Sequence, residues 1–441
     1  MNIEKDRDFF RGKYKKFITK RCNKLSKEPV YRRAKIIDCM VDNEFEDIEN
    51  RYFQIISESI IDFHLHHNNI DPKTGKTVSI GVIRMANVPP CIDLTKFLLR
   101  NDFGNDFEIR TMAYHSSQVL LMRNEQEKYL DKVLNRKNGA ESIFSDNIIR
   151  KHINEIDAKN IIFVLVVTSI EEVGRDHCFD WGIIEPSSFR SIIQLSGRVI
   201  RHIQNKYTNE KCLNYPNIGI LQYNLKGLKI DGKLSFNKPG FESSEHILES
   251  HDMYDLVNIE EISKKIDSIP RIMKNETDFN PNKNLIDLEH ECLHELLTNY
   301  DQQGANTLEG WNQGFWWVTG LPQAIVRFRY NNEEERILYL LPENDDNFDF
   351  YEKGANDQGE PVKNPIRNTL GINVEDLSEN EIKRLWIYRD YKKLFEENVQ
   401  NYTESFFPFC AEIKIIVYKN IKEYRYIDQL GLTRIKMDKM Y

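Results

Sequence analysis

Along this chain, hydrophobic and polar positions follow two rhythms. From about residue 4 to 67, apolar groups such as Phe53, Ile56, Ile60 and Phe63 recur at three- and four-residue spacing, which predicts helix. The rhythm stops at HHNNIDPKTGK, a run of turn formers. Short apolar, β-branched runs then alternate with helical stretches. TVSIGVIRMANV predicts a strand ending at Pro89-Pro90, CIDLTKFLLR a helix, FEIRTMAYH a strand and QVLLMRNEQEKYLDKVLNRK a helix. KNIIFVLVVTSI is continuously apolar at its centre, as a parallel strand buried on both faces should be. SFRSIIQLSGRVIRHI predicts a helix and NIGILQYNL another strand. Strand and helix alternate through residues 76–225, so the expected fold class is α/β with a parallel sheet.

Beyond this lobe, KGLKIDGKLSFNKPGFESSE is loop-like, and residues 245–300 are mainly helical and acidic in pattern. From about 306 the chain turns Trp-rich and β-like, in GFWWVTG, QAIVRFRY and RILYLLP. An acidic, Asn-rich loop (343–360), a helix around 379–399 and a last strand, EIKIIVY, complete the pattern. The expected organisation is a helical segment (1–75), the α/β lobe (76–225), a loop and helical connector (226–305) and a mixed α+β C-terminal domain (306–441).

Composition narrows the class of protein. With 40% hydrophobic and 29% charged residues and no apolar run of about 18 residues, the sequence predicts a soluble protein with no membrane span. The first residues carry no apolar core of a secretory signal. Seven scattered cysteines without a CxxC pair point to a reducing, cytoplasmic setting and away from a thiolate zinc site. The net charge of −8 gives no overall attraction for a polyanion, but residues 1–35 hold thirteen Lys/Arg against four acids. Such a patch either follows a phosphate backbone or is a solvated helical face.

Three stretches invite a chemical reading. Thr74-Gly75-Lys76-Thr77 imitates part of a phosphate loop, but Ile70 stands where the first glycine belongs and a strand follows where a helix should, so it reads as a turn. His290-Glu291-Cys292-Leu293-His294 spells HExxH, a zinc-peptidase pattern. Leu297 and Tyr300 occupy the extended motif's remaining places and Glu309 lies beyond Gly304, so no zinc is expected and a connector helix is the better reading. The third stretch runs from the strand at 161–167 into a loop carrying Thr168, Glu171, Gly174, Arg175 and Asp176, then reaches Gln194-Leu195-Ser196-Gly197-Arg198-Val199-Ile200-Arg201. On a helix, Gln194, Arg198 and Arg201 would share one face, and two fixed guanidiniums suit the charge on a transferring phosphoryl group.

These residues resemble motifs V and VI of superfamily-two helicases. SIGVIRMANVPP (79–90), MAYHSS (112–117), TSIEEVGRDHCFDWGIIEPSSFRSIIQLSGRVIRH (168–202) and, more loosely, LIDLEH (285–290) resemble one family, the signature helicase–nuclease of type I-F CRISPR systems. The resemblance implies a second RecA-like helicase lobe with the family's C-terminal domain, acting in ATP-dependent DNA translocation for antiviral defence. It implies that Arg198, Arg201 and Gln194 serve catalysis, that Gly174 and Asp176 line the ATP cleft, and that Thr168, Arg84, Asn87 and His115 touch single-stranded DNA. The family's first lobe, with its phosphate loop and Mg²⁺-binding acids, and its HD nuclease have no counterpart in these residues; His251-Asp252 stands alone. ATP and Mg²⁺ are therefore expected only together with a partner lobe. The implied partners are single-stranded DNA, a first-lobe and nuclease chain if the gene is split, and the type I-F surveillance complex. The alternative is a non-catalytic protein that docks on that complex.

Overall fold

The computed structural model describes residues 7–39, 47–203, 214–229, 234–275, 277–298, 334–343, 347–355, 361–365, 370, 372–399, 408–418 and 421–436. The chain opens with α1 (Arg7–Lys27), β1 (Ala34–Ile37) and α2 (Ile48–His66). There follow β2 (Asn69–Ile70), β3 (Thr77–Arg84), α3 (Val88–Arg100), β4 (Phe107–Tyr114), α4 (Leu120–Val133), α5 (Asn147–Glu155), β5 (Asn160–Val167) and β6 (Trp181–Ile184). Then come α6 (Phe189–Ser196), β7 (Ile218–Leu221), three helical turns between Met253 and Ile272, and α7 (Leu285–Thr298). The last third holds β8 (Glu334–Pro342), β9 (Phe348–Ala355), β10 (Pro361–Pro365), β11 (Ile372–Val374), α8 (Glu379–Lys383), α9 (Tyr391–Asn398), β12 (Glu412–Val417), β13 (Ile421–Ile427) and β14 (Gly431–Lys436).

Two compact units interleave along the sequence. One takes Met1–Ile55, Ile184–Ile200 and Tyr207–Tyr330; the other takes Ile56–Ile183, Arg201–Lys206 and Asn331–Tyr441. In the first, β1 pairs in parallel with β7, Ala34 opposite Ile218. This strand falls inside the stretch whose spacing predicts helix from 4 to 67. Ala34-Lys-Ile-Ile is too short for a periodicity argument, and its pairing partner lies far along the sequence.

The second unit contains β3 to β5 and most of β6 of the parallel α/β lobe, whereas α6 and β7, also within the expected bounds of 76–225, fall in the first unit. β3 and β4 flank β5 in parallel, with Thr77 and Phe107 both opposite Asn160, and Arg84 and Tyr114 both opposite Val167. The three strands therefore end in one row. β6 lies on the other side of β3. From β3 the chain crosses to β4 on one side, and from β5 it crosses to β6 on the other. Adjacent strands that send their chains in opposite directions open a crevice at their carboxyl ends, the usual binding position in such sheets.

Gly81 in mid-β3 has a steric reason. A Cβ there would lie 2.1 Å from the Trp181 ring, which stacks on Phe63 at 5.9 Å between centroids and donates its indole N–H to Ser79 Oγ at 3.1 Å. Beside it, the wholly buried Arg136–Asp180 pair closes at 3.0 Å, and Asp180 also accepts from the Ile80 amide at 2.9 Å.

The C-terminal strands belong to this unit and form a four-stranded antiparallel sheet (β10-β9-β8-β12) and a three-stranded one (β11-β13-β14). Leu338, Leu340, Phe350, Ile413 and Tyr426 share one core with Leu121 and Met122 of α4. Arg389 is buried between these layers. Its guanidinium donates to Met122 O, Gln126 Oε1 and Gln429 O at 3.0, 2.6 and 2.6 Å, and burial lowers its pKa to about 10. The single helix expected over 379–399 is broken into α8 and α9. Between them Arg384 and Trp386 exchange backbone hydrogen bonds with Thr111 of β4, which extends the sheet at that edge. The Trp-rich stretch from 306 lies outside the described residues.

Candidate functional site

The row of strand ends at Arg84, Tyr114 and Val167 brings the residues singled out in this half of the lobe to one edge. Thr168 leaves β5 with its amide donating to Tyr114 O at 3.2 Å, and a single 3₁₀ turn, Ser169–Glu171, leads into the loop. The loop is held by ion pairs on both flanks. Glu172 meets Arg84 at 3.0 Å. Arg175 reaches Glu127 of α4 at 2.6 Å and lies 5.6 Å over the Tyr114 ring. His177 lies between carboxylates, its Nδ1 2.9 Å from Glu171 and its Nε2 2.9 Å from Asp131. Gly174 adopts φ +78°, in the left-handed region where glycine meets no Cβ penalty.

Asp176 is the loop's charged centre. Its carboxylate accepts from Arg201 Nε at 2.6 Å and His202 Nε2 at 3.1 Å, and Lys137 Nζ lies 2.8 Å away. Lys137, Arg201 and His202 together hold its pKa well below the usual carboxylate range. Arg201 remains 40% exposed, and among the described residues its hydrogen bond uses Nε alone. Its two Nη groups make no hydrogen bond among the described residues, and they are the donors a phosphate oxygen would engage.

The expected common helical face of Gln194, Arg198 and Arg201 is not what forms. α6 ends at Ser196, with Ser188 capping its start by accepting from the Ser191 amide. Arg198 and Val199 continue in tight turns back to Leu195 and Ser196, and Ile200 takes φ +51°. A helix cannot pass a residue in that conformation. Gln194 therefore stays on α6, half-buried; Arg198 lies buried in the turn; and Arg201 follows the reversal into the second unit.

The residues expected to touch a strand also divide. Arg84 is wholly buried and committed to Glu172. His115 is wholly buried with Nε2 2.7 Å from Leu430 O, and burial lowers its pKa to about 4. Neither offers its side chain to a strand passing over the surface, because the loop covers one and the β13–β14 turn covers the other. Thr168 is buried, while Asn87, at the start of α3, keeps its side chain half-exposed and out of any helix-cap bond. Sequence reading missed Lys137, His177 and His202. Glu127 and Asp131, one turn apart on α4, together with the Arg175-Asp176-His177 run, were the available signal.

The HExxH helix forms as α7, but His290 Nε2 lies 3.0 Å from Pro270 O, and a nitrogen donating to a carbonyl is not a metal ligand. Among the described residues no group of three His, Cys, Asp or Glu side chains is placed to hold a metal ion. The donor set near Asp176 is cationic, which fits phosphate oxygens and does not fit Mg²⁺. No described helix is long and apolar enough to cross a membrane.

Comparison with known proteins bears on this geometry. Residues 77–204 match the family model described as CRISPR-associated nuclease/helicase Cas3, C-terminal. The chain is 32% identical over 345 residues to the CRISPR-associated nuclease/helicase Cas3 subtype I-F/YPEST of Pectobacterium atrosepticum, a match covering 76% of this chain and 31% of that protein. It is also 32% identical over 350 residues to its namesake in Pseudomonas aeruginosa, covering 77% of this chain and 31% of the relative. The chain thus spans about a third of the length of these curated relatives. Among solved structures, T. fusca Cas3-AMPPNP aligns over 92% of this chain and 41% of its own, with 9% identity and a TM-score of 0.40, a likeness too distant to carry an argument.

Proposed function

We propose that this chain, which is similar to the C-terminal part of Cas3-type nuclease/helicases of subtype I-F, supplies the arginine-bearing lobe of an ATP-dependent DNA translocase in antiviral defence. The observation that carries this reading is Arg201, pre-oriented by Asp176 through Nε, with its two Nη groups making no hydrogen bond among the described residues, at the carboxyl end of the parallel sheet.

ATP is the substrate, bound between this lobe and one carrying a phosphate loop and the acids that hold Mg²⁺. That second lobe is either another part of the same protein or a separate chain. Mg²⁺, held by that lobe's acids, would supply neutralisation of phosphate charge there. This chain's own contribution is electrostatic. Arg201 stabilises charge on the γ-phosphoryl oxygens, Asp176 orients it, and Lys137 and His202 keep Asp176 ionised and in place. Gly174, at a positive φ, lets the loop approach the nucleotide closely. Asn87 is the residue of the strand-end row whose side chain is left to meet a single strand of DNA, with the buried Thr168 offering at most its backbone, while Arg84 and His115 hold the loop and the C-terminal turn in position. The surveillance complex of the type I-F system is the partner that would deliver the DNA.

The reading is tested by ATP hydrolysis with and without a complementary first lobe. The purified chain alone is expected to show no turnover above background, and DNA-stimulated turnover is expected on adding a complementary first lobe. Robust hydrolysis by the chain alone would show that it holds a complete site and contradict the proposal.

A further inference from the structure

We propose that one face of α1 is a docking track for a single strand of nucleic acid, separate from the strand-end row of the lobe. The proposal rests on this helix alone and does not depend on the motor reading.

The described side chains of α1 from Gly12 to Lys27 include seven Lys or Arg and no acid, and all seven are exposed. At about 100° per residue, Lys13, Lys16, Lys20, Lys24 and Lys27 fall within an arc of roughly 80°. Ile18, Cys22 and Leu25 fall on the opposite side, where Cys22 is buried and Lys265 Nζ donates to Leu25 O at 2.5 Å. The helix is thereby fastened by its back, and its lysine face points outward. Gly12, Thr19 and Asn23 floor a shallow trough beside this arc, with Lys15 on its far rim. Among the described residues, none of these lysines is in an ion pair with an acid. Successive lysines one turn apart are spaced by about 6 Å along the axis, a spacing an extended phosphate backbone can follow.

The aromatic residues decide what kind of polyanion fits. Phe17 is 62% exposed and borders the lysine arc, and Phe9 is 60% exposed within it, under Lys13 Nζ at 4.3 Å from the ring centroid. Exposed rings beside a row of cations are stacking platforms for unpaired bases, which a duplex does not offer. A helix built to lie in a membrane surface would segregate its apolar groups away from its charges. Here exposed aromatics and lysines share one side.

The test is fluorescence anisotropy of a labelled 25-nucleotide oligo(dT) with the full chain, without nucleotide, between 50 and 200 mM salt. K16Q/K20Q/K24Q/K27Q is expected to weaken binding at least tenfold at low salt. It should also flatten the log–log salt dependence by about 3, from roughly 0.7 for each of four lost phosphate contacts. K16R/K20R/K24R/K27R should keep the original slope, and F17A should weaken oligo(dT) binding several-fold while leaving a duplex of equal length unaffected. Photo-crosslinking of a bromouridine oligonucleotide to the unmodified chain should map to α1. An unchanged affinity and slope in the Gln variant, crosslinks confined to other segments, or α1-dependent binding of phosphatidylglycerol vesicles but not of oligo(dT) would each overturn the proposal.

Discussion

At the scale of single residues, buried charge and buried neutrality set much of this lobe's stability. Arg136 and Asp180 are wholly buried against each other. Replacing Arg136 with Leu leaves Asp180 uncompensated, so chemical denaturation is expected to show a loss of about 3–5 kcal/mol. His64 and His115 are the reverse case, with burial lowering the pKa of each from 6.5 to about 4. The unfolded chain binds protons on these rings between those values and the folded chain does not. Their contribution is therefore complete above pH 6.5 and declines as pH falls toward 4, by about 1.4 kcal/mol per unit for each ring. Unfolding midpoints measured from pH 7 to 4.5 should fall steeply, and His64→Gln should make that fall shallower. A pH-independent midpoint over this range would contradict the burial of these rings. Asp176, held by Lys137, Arg201 and His202, is expected to stay ionised throughout.

At the scale of elements, the hydrophobic pattern marked β3, α3, β4, α4 and β5, the helices by one apolar face and the strands by apolar runs, unbroken in β3 and β5, which are buried on both faces. It did not mark β1 or β6, four residues apiece, whose pairing is decided by distant partners. It overextended α6, since Arg198–Arg201 keep a helical spacing while Ile200 leaves helical space. It also ran α8 and α9 together, because the hydrogen bonds that break them belong to Thr111, more than two hundred residues earlier. The site was legible to the same extent. Asp176 and Arg201 stood out as residue types, but that one holds the other follows from the chain reversal, and the burial of Arg84 and His115 follows from layers that periodicity cannot place. Two substitutions test this packing. Gly81→Ala drives a methyl into the Trp181 ring and should cost about 1–3 kcal/mol. Trp386→Ala removes a buried ring between Phe163 and Tyr129 and should cost about 3–5 kcal/mol. Thermal melts within a degree of the unmodified protein for either would contradict the assigned contacts.

At the scale of the whole molecule, the C-terminal strands are not an appendage to the α/β lobe. They share a core with α4, hold Arg389 between layers and cover His115 through Leu430, so truncation before β12 is expected to yield insoluble or protease-sensitive protein rather than a smaller working lobe. On the proposed function, Arg201 completes an ATP site whose other half lies on a different lobe. The measurement that tests it most directly is DNA-stimulated kcat in enzyme assembled with that lobe, comparing the unmodified chain with Arg201→Ala. The predicted result is a fall of about 10³-fold or more with little change in KM, the size expected when a guanidinium serves the transferring phosphoryl group. A kcat within about threefold of the unmodified enzyme would contradict it.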